Sequence, residues 1–381
     1  MIYDVIIAGA GVAGTVLAYL LAEKGVSTLI LEKTALPRYK ACGGGVTIKA
    51  VSALPFDIGE IVVCKPVGGE LCYRGRRYIR RLIPDVAWLV EREELDLYLA
   101  QKAVKAGARL LEKIGVVSLE EHRERVVVRT SHESYEGRFL VGADGVTSVV
   151  SRAVGLLQNR CMGMAVAGEI GVDQTAYQQQ GAYATFDFGA IPHGYAWIFP
   201  KREHLSIGFF QSTPGKVPEA RKTLDEIITR FPHLKGYRLI RARGHHIPLG
   251  GKPQPLHKGR VLLVGDAANL ADAWLGEGIY YAIQSARIAA QELMQNLHSG
   301  SADLENYTAR VNAEIVEELR RAGIFASIVY RYPYLGTALM SRSLLMQEYV
   351  FGVMRGDYTF RQFNRLLLRG LPQILLQQLG R

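Results

Sequence analysis

The chain has 381 residues, a length for two or three domains. Half of it (49%) is apolar and 22% is charged, which excludes a disordered or low-complexity chain. Four Cys without a C-x-x-C pair exclude a disulfide scaffold or zinc ribbon and point to a reducing, cytoplasmic setting, while a net charge of +10 favours anionic partners without choosing among nucleic acid, lipid or phosphorylated small molecules.

Ile2 to Ala8 reads as a buried strand, Val12 to Lys24 as a helix stopped by Gly25, and Val26 to Glu32 as a second strand. This is a βαβ unit. The uncharged run Val5 to Ala22 has the length of a marginal membrane span, but Gly9, Gly11 and Gly14 interrupt it and no Lys or Arg precedes it. It is read as neither a span nor a signal peptide. Glu91 to Ala106 reads as a helix ended by Gly107, and short strands follow between 109 and 141, among them Arg125 to Thr130 and Phe139 to Val141.

Residues 160 to 211 read as antiparallel sheet, with strands Cys161 to Ile170, Gly181 to Phe188, Tyr195 to Phe199 and His204 to Phe210. Pro218 to Phe231 is an expected helix, Arg260 to Gly265 a buried strand, and Glu277 to Leu297 a long helix. Beyond 301 the pattern is helical, with Pro333 and Pro372 as breakers. The expected class is α/β with mixed α+β character. A discontinuous Rossmann-like nucleotide-binding domain (1–60, 91–155, 245–300) carries an inserted antiparallel sheet domain (61–90, 156–244) and a helical C-terminal region (301–381).

Three turns carry the cofactor chemistry. Gly9-Ala10-Gly11-Val12-Ala13-Gly14 follows a strand and opens a helix, so the backbone can approach a pyrophosphate at the helix N-terminus. Glu32, at the end of the next strand, would accept hydrogen bonds from a ribose; Lys33 beside it joins the cofactor set without arguing for a 2′-phosphate. Asp144, in Gly142-Ala143-Asp144-Gly145, and Asp266, in Gly265-Asp266-Ala267-Ala268, each stand between a strand and a helix. Each could hold a polyol hydroxyl or simply cap its helix.

Together the three turns resemble the fingerprints of FAD-dependent oxidoreductases of the p-hydroxybenzoate hydroxylase type. That resemblance implies FAD, with Asp266 on the ribitol and Arg92 near the pyrophosphate or ribose, although Glu91-Arg92-Glu93-Glu94 also reads as a solvated helix start.

Three further motifs narrow the family: Cys42-Gly43-Gly44-Gly45 after the second strand, Tyr195-Ala196-Trp197-Ile198-Phe199-Pro200, and Gly276-Glu277-Gly278-Ile279 at the start of the long helix. This trio resembles the geranylgeranyl reductase family, flavoenzymes that saturate isoprenoid double bonds. The resemblance spans most of residues 1 to 300. It implies hydride transfer from reduced FAD, a geranylgeranyl diphosphate or prenylated lipid or pigment as substrate, and NADPH or ferredoxin as electron donor.

Alternation places Tyr195, Trp197 and Phe199 on one sheet face, either lining a tunnel or forming an aromatic core stripe. Glu277 is retained on the motif alone; Gly276, Gly278 and Ile279 would approach the flavin ring, as would Gly43 and Gly44. Cys42 reads as a proton source or positional group, or as a small buried apolar residue. The chain departs from the family at Asn269 and Ala273, where Gly and Pro are usual, and at Gly208-Phe209-Phe210, where a Gly-x-Gly is expected. Phe210 would narrow the substrate tunnel.

Other features are weaker. His245-His246 is not read as a metal pair, because neighbours on a strand point oppositely; no metal is expected. Arg74, Arg76, Arg77, Arg80 and Arg81 read as a solvated hairpin, or as a contact for a diphosphate or an anionic membrane. Seven Arg and two acidic residues within 325–381 give +5 there. With Leu366-Leu367-Leu368 and Ile374-Leu375-Leu376, this region reads as a peripheral membrane contact or as a cap over the substrate domain. The basic segments lack a stacking platform, so no nucleic acid is expected. The competing readings are an FAD monooxygenase or halogenase, and a non-catalytic flavin-binding subunit.

Overall fold

The computed structural model describes residues 2–82, 86–156, 160–213 and 219–379. Pro218 and Arg381, and the side chains of Leu375 and Leu376, lie outside the described residues.

Continuous apolar runs become parallel strands covered on both faces, as a buried sheet requires. Val261–Leu263, Ser134–Gly142, Ile2–Ala8, Thr28–Glu32 and Arg109–Glu112 lie side by side in that order, all parallel. Ile7 stands opposite Val141 on one side and Ile30 on the other. The run Val5 to Ala22 is divided between this central strand and the helix Val12–Ala22, which packs against Ile279–Ser299 and Arg92–Lys105. Among the described residues no helix is long and apolar enough to cross a membrane.

The second sheet has seven strands in the order Arg238–Leu249, Cys161–Gly171, Leu205–Gln211, Gly194–Pro200, Tyr183–Phe188, Gly68–Tyr73 and Arg76–Leu82. Its pairs are antiparallel except Tyr183–Phe188 against Gly68–Tyr73, which run parallel. The strand Arg238–Leu249 is continuous across residue 245, the expected domain border. Between 174 and 180 the chain forms a helix capped by Asp173, so the strand begins at Tyr183, later than expected.

Gly194–Pro200 is buried along its whole length because both faces are covered. Tyr195, Trp197 and Phe199 face the C-terminal helices, whereas Ala196 and Ile198 pack with Leu224, Ile227 and Ile228 of the helix Ala220–Ile228. Pro333 ends one helix and occupies the first turn of the next, Pro333–Arg342, where its missing N–H costs nothing. Pro372 corrects the expectation of a break: it sits inside the helix Phe360–Leu379 at an exposed position, where water can satisfy the carbonyl it leaves unpaired.

Candidate active site

The first glycine turn leaves no room for side chains where the chain packs on itself. A Cβ on Gly14 would lie 2.1 Å from the Gly9 carbonyl oxygen, and one on Gly9 (φ +105°) would lie 2.5 Å from that of Ala143. Gly11 differs: a Cβ there would meet only Arg38, at 4.0 Å, so its backbone faces open space at the N-terminus of Val12–Ala22. Glu32 is buried and accepts from the Ala10 N–H (2.8 Å) and from Thr34. Burial works to raise its pKa and is outweighed by the Ala10 N–H, Arg38 and Thr34, so it stays ionised.

A cationic shelf lies next to this turn. Arg38 and Arg92 each bond Asp96 at 2.9 Å, one to each carboxylate oxygen, and Lys40 stands 3.8 Å from Asp266. Burial pushes the Asp96 carboxyl up, but Arg92, Lys40 and Arg38 more than reverse it. The Arg92 Nε is buried without a hydrogen-bond partner while Arg92 lines the central cavity. An unpaired guanidinium edge beside Lys40, Arg38 and an open glycine backbone fits the pyrophosphate of FAD.

Cys42 lies against Arg92, whose charge is held chiefly by Asp96 against the opposing effect of burial. Gly43 passes under the aromatic strand, with its Cβ position 3.1 Å from both Trp197 and Phe199. Gly44 (φ +73°) could not carry a Cβ, which would fall 2.1 Å from the Val90 carbonyl oxygen. His245 reaches the cavity and His246 is exposed, as alternation requires. Burial, then Lys40, pushes the His245 pKa down to about 4, so its ring is neutral.

The second glycine turn is held from below. Asp272 is buried and accepts from the backbone N–H groups of Trp274 and Leu275 (2.7 Å each) and Glu277 (3.2 Å). Burial, then Glu277, raises the Asp272 pKa to about 6. Glu277 pairs with Lys49 at 2.7 Å and accepts from Thr47 Oγ1 at 2.5 Å. Asn269 stands in the left-handed region (φ +63°) that Gly would otherwise supply, and its amide donates to the Leu249 carbonyl at 2.8 Å. Asn, which tolerates this conformation, therefore stands here without a steric penalty of the size a β-branched residue would carry.

One cavity joins these parts. It runs from Gly11, Cys42, Gly43, Gly44, Arg92 and Asp266, past Gly276, Glu277, Gly278 and Ile279, to Tyr195, Trp197 and Phe199. Ring centroids 6.2 and 6.3 Å apart make those three aromatics a continuous wall. Phe210 also lines it, 5.9 Å from Tyr195 and in contact with Gly276, so it narrows the passage beside the glycine turn. The cavity continues between Phe186, Phe188, Val329, Met340, Met346 and Val350.

Several expected residues stand outside the lining. Gly9, Gly14 and Glu32 shape the first turn from behind, and Lys33 is exposed. Asp144 spends its carboxylate on Ser148 and on the N–H groups of Val149 and Val150, as a helix cap does. Gly208 acts through its neighbour, since a Cβ there would lie 2.2 Å from the Trp197 ring. Arg38, Lys40, Lys49, Thr47, Asp272 and His245 join the site without a motif of their own. His245 stood out only as half of a His pair, and Arg38 and Lys40 only as two cations in the loop before Cys42.

The model of the FAD binding domain family matches residues 2–56 and 70–322. An uncharacterized protein of Methanosarcina barkeri is 32% identical over 357 residues, covering 92% of this chain and 89% of that protein. Digeranylgeranylglycerophospholipid reductase 1 of Methanopyrus kandleri is 30% identical over 346 residues, covering 82% of this chain and 87% of that enzyme. Among solved structures, a geranylgeranyl bacteriochlorophyll reductase-like protein of Thermoplasma acidophilum superposes with a TM-score of 0.81 at 22% identity, covering 98% of both chains. The chain belongs to the FAD binding domain family and is an FAD-dependent oxidoreductase of its geranylgeranyl reductase group.

Proposed function

We propose that this flavoprotein saturates C=C bonds of a geranylgeranyl-type isoprenoid chain, carried on a diphosphate or on a prenylated lipid or pigment. The carrying observation is the continuity of the cavity. A long apolar passage walled by Tyr195, Trp197 and Phe199 leads directly to the glycine turn Gly276–Gly278. An apolar passage of this kind orders a flexible chain by burial, at roughly 25 cal/mol per Å².

Reduced FAD supplies the hydride when bound. The chain's own residues position and protonate. The Cys42 thiol gives a proton to the second alkene carbon, and the thiolate left behind lies against the Arg92 guanidinium. Trp197 and Phe199 hold the chain over Gly43, and Tyr195 is fixed by donating to the Leu275 carbonyl at 2.8 Å. Each turnover adds one hydride and one proton to a C=C bond, giving CH–CH; Cys42 would then regain its proton from solvent, and NADPH or ferredoxin would supply the next two electrons.

Anaerobic incubation of the dithionite-reduced holoprotein with geranylgeranyl diphosphate tests this. Flavin reoxidation with two hydrogens gained per reduced bond, read by mass spectrometry, is expected. Reduced flavin that persists with geranylgeranyl diphosphate and with prenylated lipid alike, and reoxidises only when oxygen is admitted with substrate, would overturn it in favour of a monooxygenase.

A further inference from the structure

One end of the cavity is bounded by the edge strand Arg76–Leu82 and the helix Pro333–Arg342, which pack together there. Gly68, Gly69 and Ile79 line it on the sheet side, and Gly336, Thr337 and Met340 on the helix side. The opposite face of that helix is apolar and turned to solvent. Tyr334 is 56% and Leu335 54% exposed, with Tyr332 before them and Leu344 (62%) after. Leu82 at the end of the edge strand is 67% exposed. Tyr334 lies 5.5 and 6.3 Å, ring to ring, from Tyr73 and Tyr78, and Arg81 donates to Gln347 at 2.6 Å. Hairpin and helices therefore form one surface.

Charge on this surface is predominantly positive. Arg74, Arg76, Arg81, Arg331 and Arg342 are exposed on it. Residues 73–82 contain no Asp or Glu, and neither do residues 320–347. Glu70, the acid beneath the hairpin, is buried and already paired with Arg77 and Arg80 at 2.6 Å each. Glu348, one turn beyond Leu344, is exposed but paired with Arg355 at 2.5 Å. Exposed Leu and Tyr flanked by an excess of Arg match a surface that is apolar inside and anionic at its face. A second copy of this chain would set Arg against Arg.

We propose that this face docks onto an anionic phospholipid bilayer. On the reductase reading given above, a prenyl chain would pass from the bilayer into the cavity between Ile79 and Met340 without crossing water. The Leu-rich helix Phe360–Leu379 is anchored differently: Phe360, Phe363 and Ile374 are buried against the other C-terminal helices, while Leu368 and Leu371 stay exposed.

Sedimentation of the FAD-loaded protein with vesicles decides. Phosphatidylcholine vesicles containing phosphatidylglycerol should bind it, pure phosphatidylcholine should not, and 0.5 M salt should weaken binding. Two variants, R76Q/R331Q/R342Q and L335E/L344E, should each bind about tenfold or more weakly while keeping bound flavin. V117E, at an exposed apolar site on the other sheet, should bind as the parent does. No vesicle binding by the parent, undiminished binding by both surface variants, or equal loss in V117E overturns the proposal. A dimer in place of vesicle binding, dissolved by L335E/L344E, assigns the face to a second copy. Because binding is read without turnover, failure of the docking face and failure of the reductase reading remain separate results.

Discussion

Lys49 and Glu277 meet at 2.7 Å, joining the short helix Ile48–Ala53 to the glycine turn that opens Ile279–Ser299. Both side chains are nine-tenths buried. Burial works against the Lys49 charge, and Glu277 outweighs it, so the lysine pKa is raised. The ammonium also lies 4.7 Å from the Tyr280 ring centroid. A residue 228 positions away in sequence thus holds the glycine turn in place.

Lys49→Met should leave Glu277 buried beside Asp272 without its cation. Loss of about 3 kcal/mol in urea unfolding is expected, the size typical of a broken buried pair. K49M/E277Q should recover most of it. A double variant as unstable as the sum of both single variants would show that the pair is not coupled.

The two helix-opening glycines should fail differently. Gly11→Ala has room for its methyl group and an ordinary φ of −81°, so the apoprotein should keep its Tm but release FAD, because the methyl fills the face open to the pyrophosphate. Gly14→Ala collides with the Gly9 carbonyl and should lower the Tm itself. Flavin absorbance after gel filtration and thermal unfolding of both apoproteins separate the two. A G11A protein that retains FAD would remove Gly11 from the cofactor site.

Cys42→Ala distinguishes a proton donor from a small buried packing residue. FAD content should be unchanged, and substrate-driven reoxidation of the reduced flavin should slow about a hundredfold or more, the usual range for a lost general acid. Stopped-flow absorbance under nitrogen measures it. Reoxidation at the parent rate would leave Cys42 a packing residue.

Asp187 supplies a pH test away from the cavity. It is buried between Gly68–Tyr73 and Gly194–Pro200 and accepts from the Gly75 N–H at 2.8 Å. Burial raises its pKa to about 6 even so. The native state then holds this proton more tightly than the unfolded chain, so its contribution is favourable at low pH and is lost as pH rises from about 4 to about 6. Asp187→Asn should therefore gain stability over the parent across that window, by on the order of 2 kcal/mol, and hold the gain above it. His245, with its lowered pKa, acts oppositely in the parent, which is why the difference between the two proteins is the quantity to follow by thermal unfolding from pH 4 to 7.

By itself the sequence determined what depends on neighbours along the chain. Strand, glycine turn and helix at 2–22 follow from an apolar run broken at Gly9, Gly11 and Gly14. The aromatic wall follows from the period of two that puts Tyr195, Trp197 and Phe199 on one face. His245 and His246 diverge for the same reason. Tertiary structure decided what depends on which segments meet. Nothing local pairs Lys49 with Glu277, brings Arg38 onto Asp96, or sets Lys40 beside Asp266. The outer wall of the cavity was equally hidden, because the helix Pro333–Arg342 shows a lining face only where the edge strand Arg76–Leu82 supplies the other side. Periodicity assigns a residue to a face of its element; the fold alone decides what that face meets.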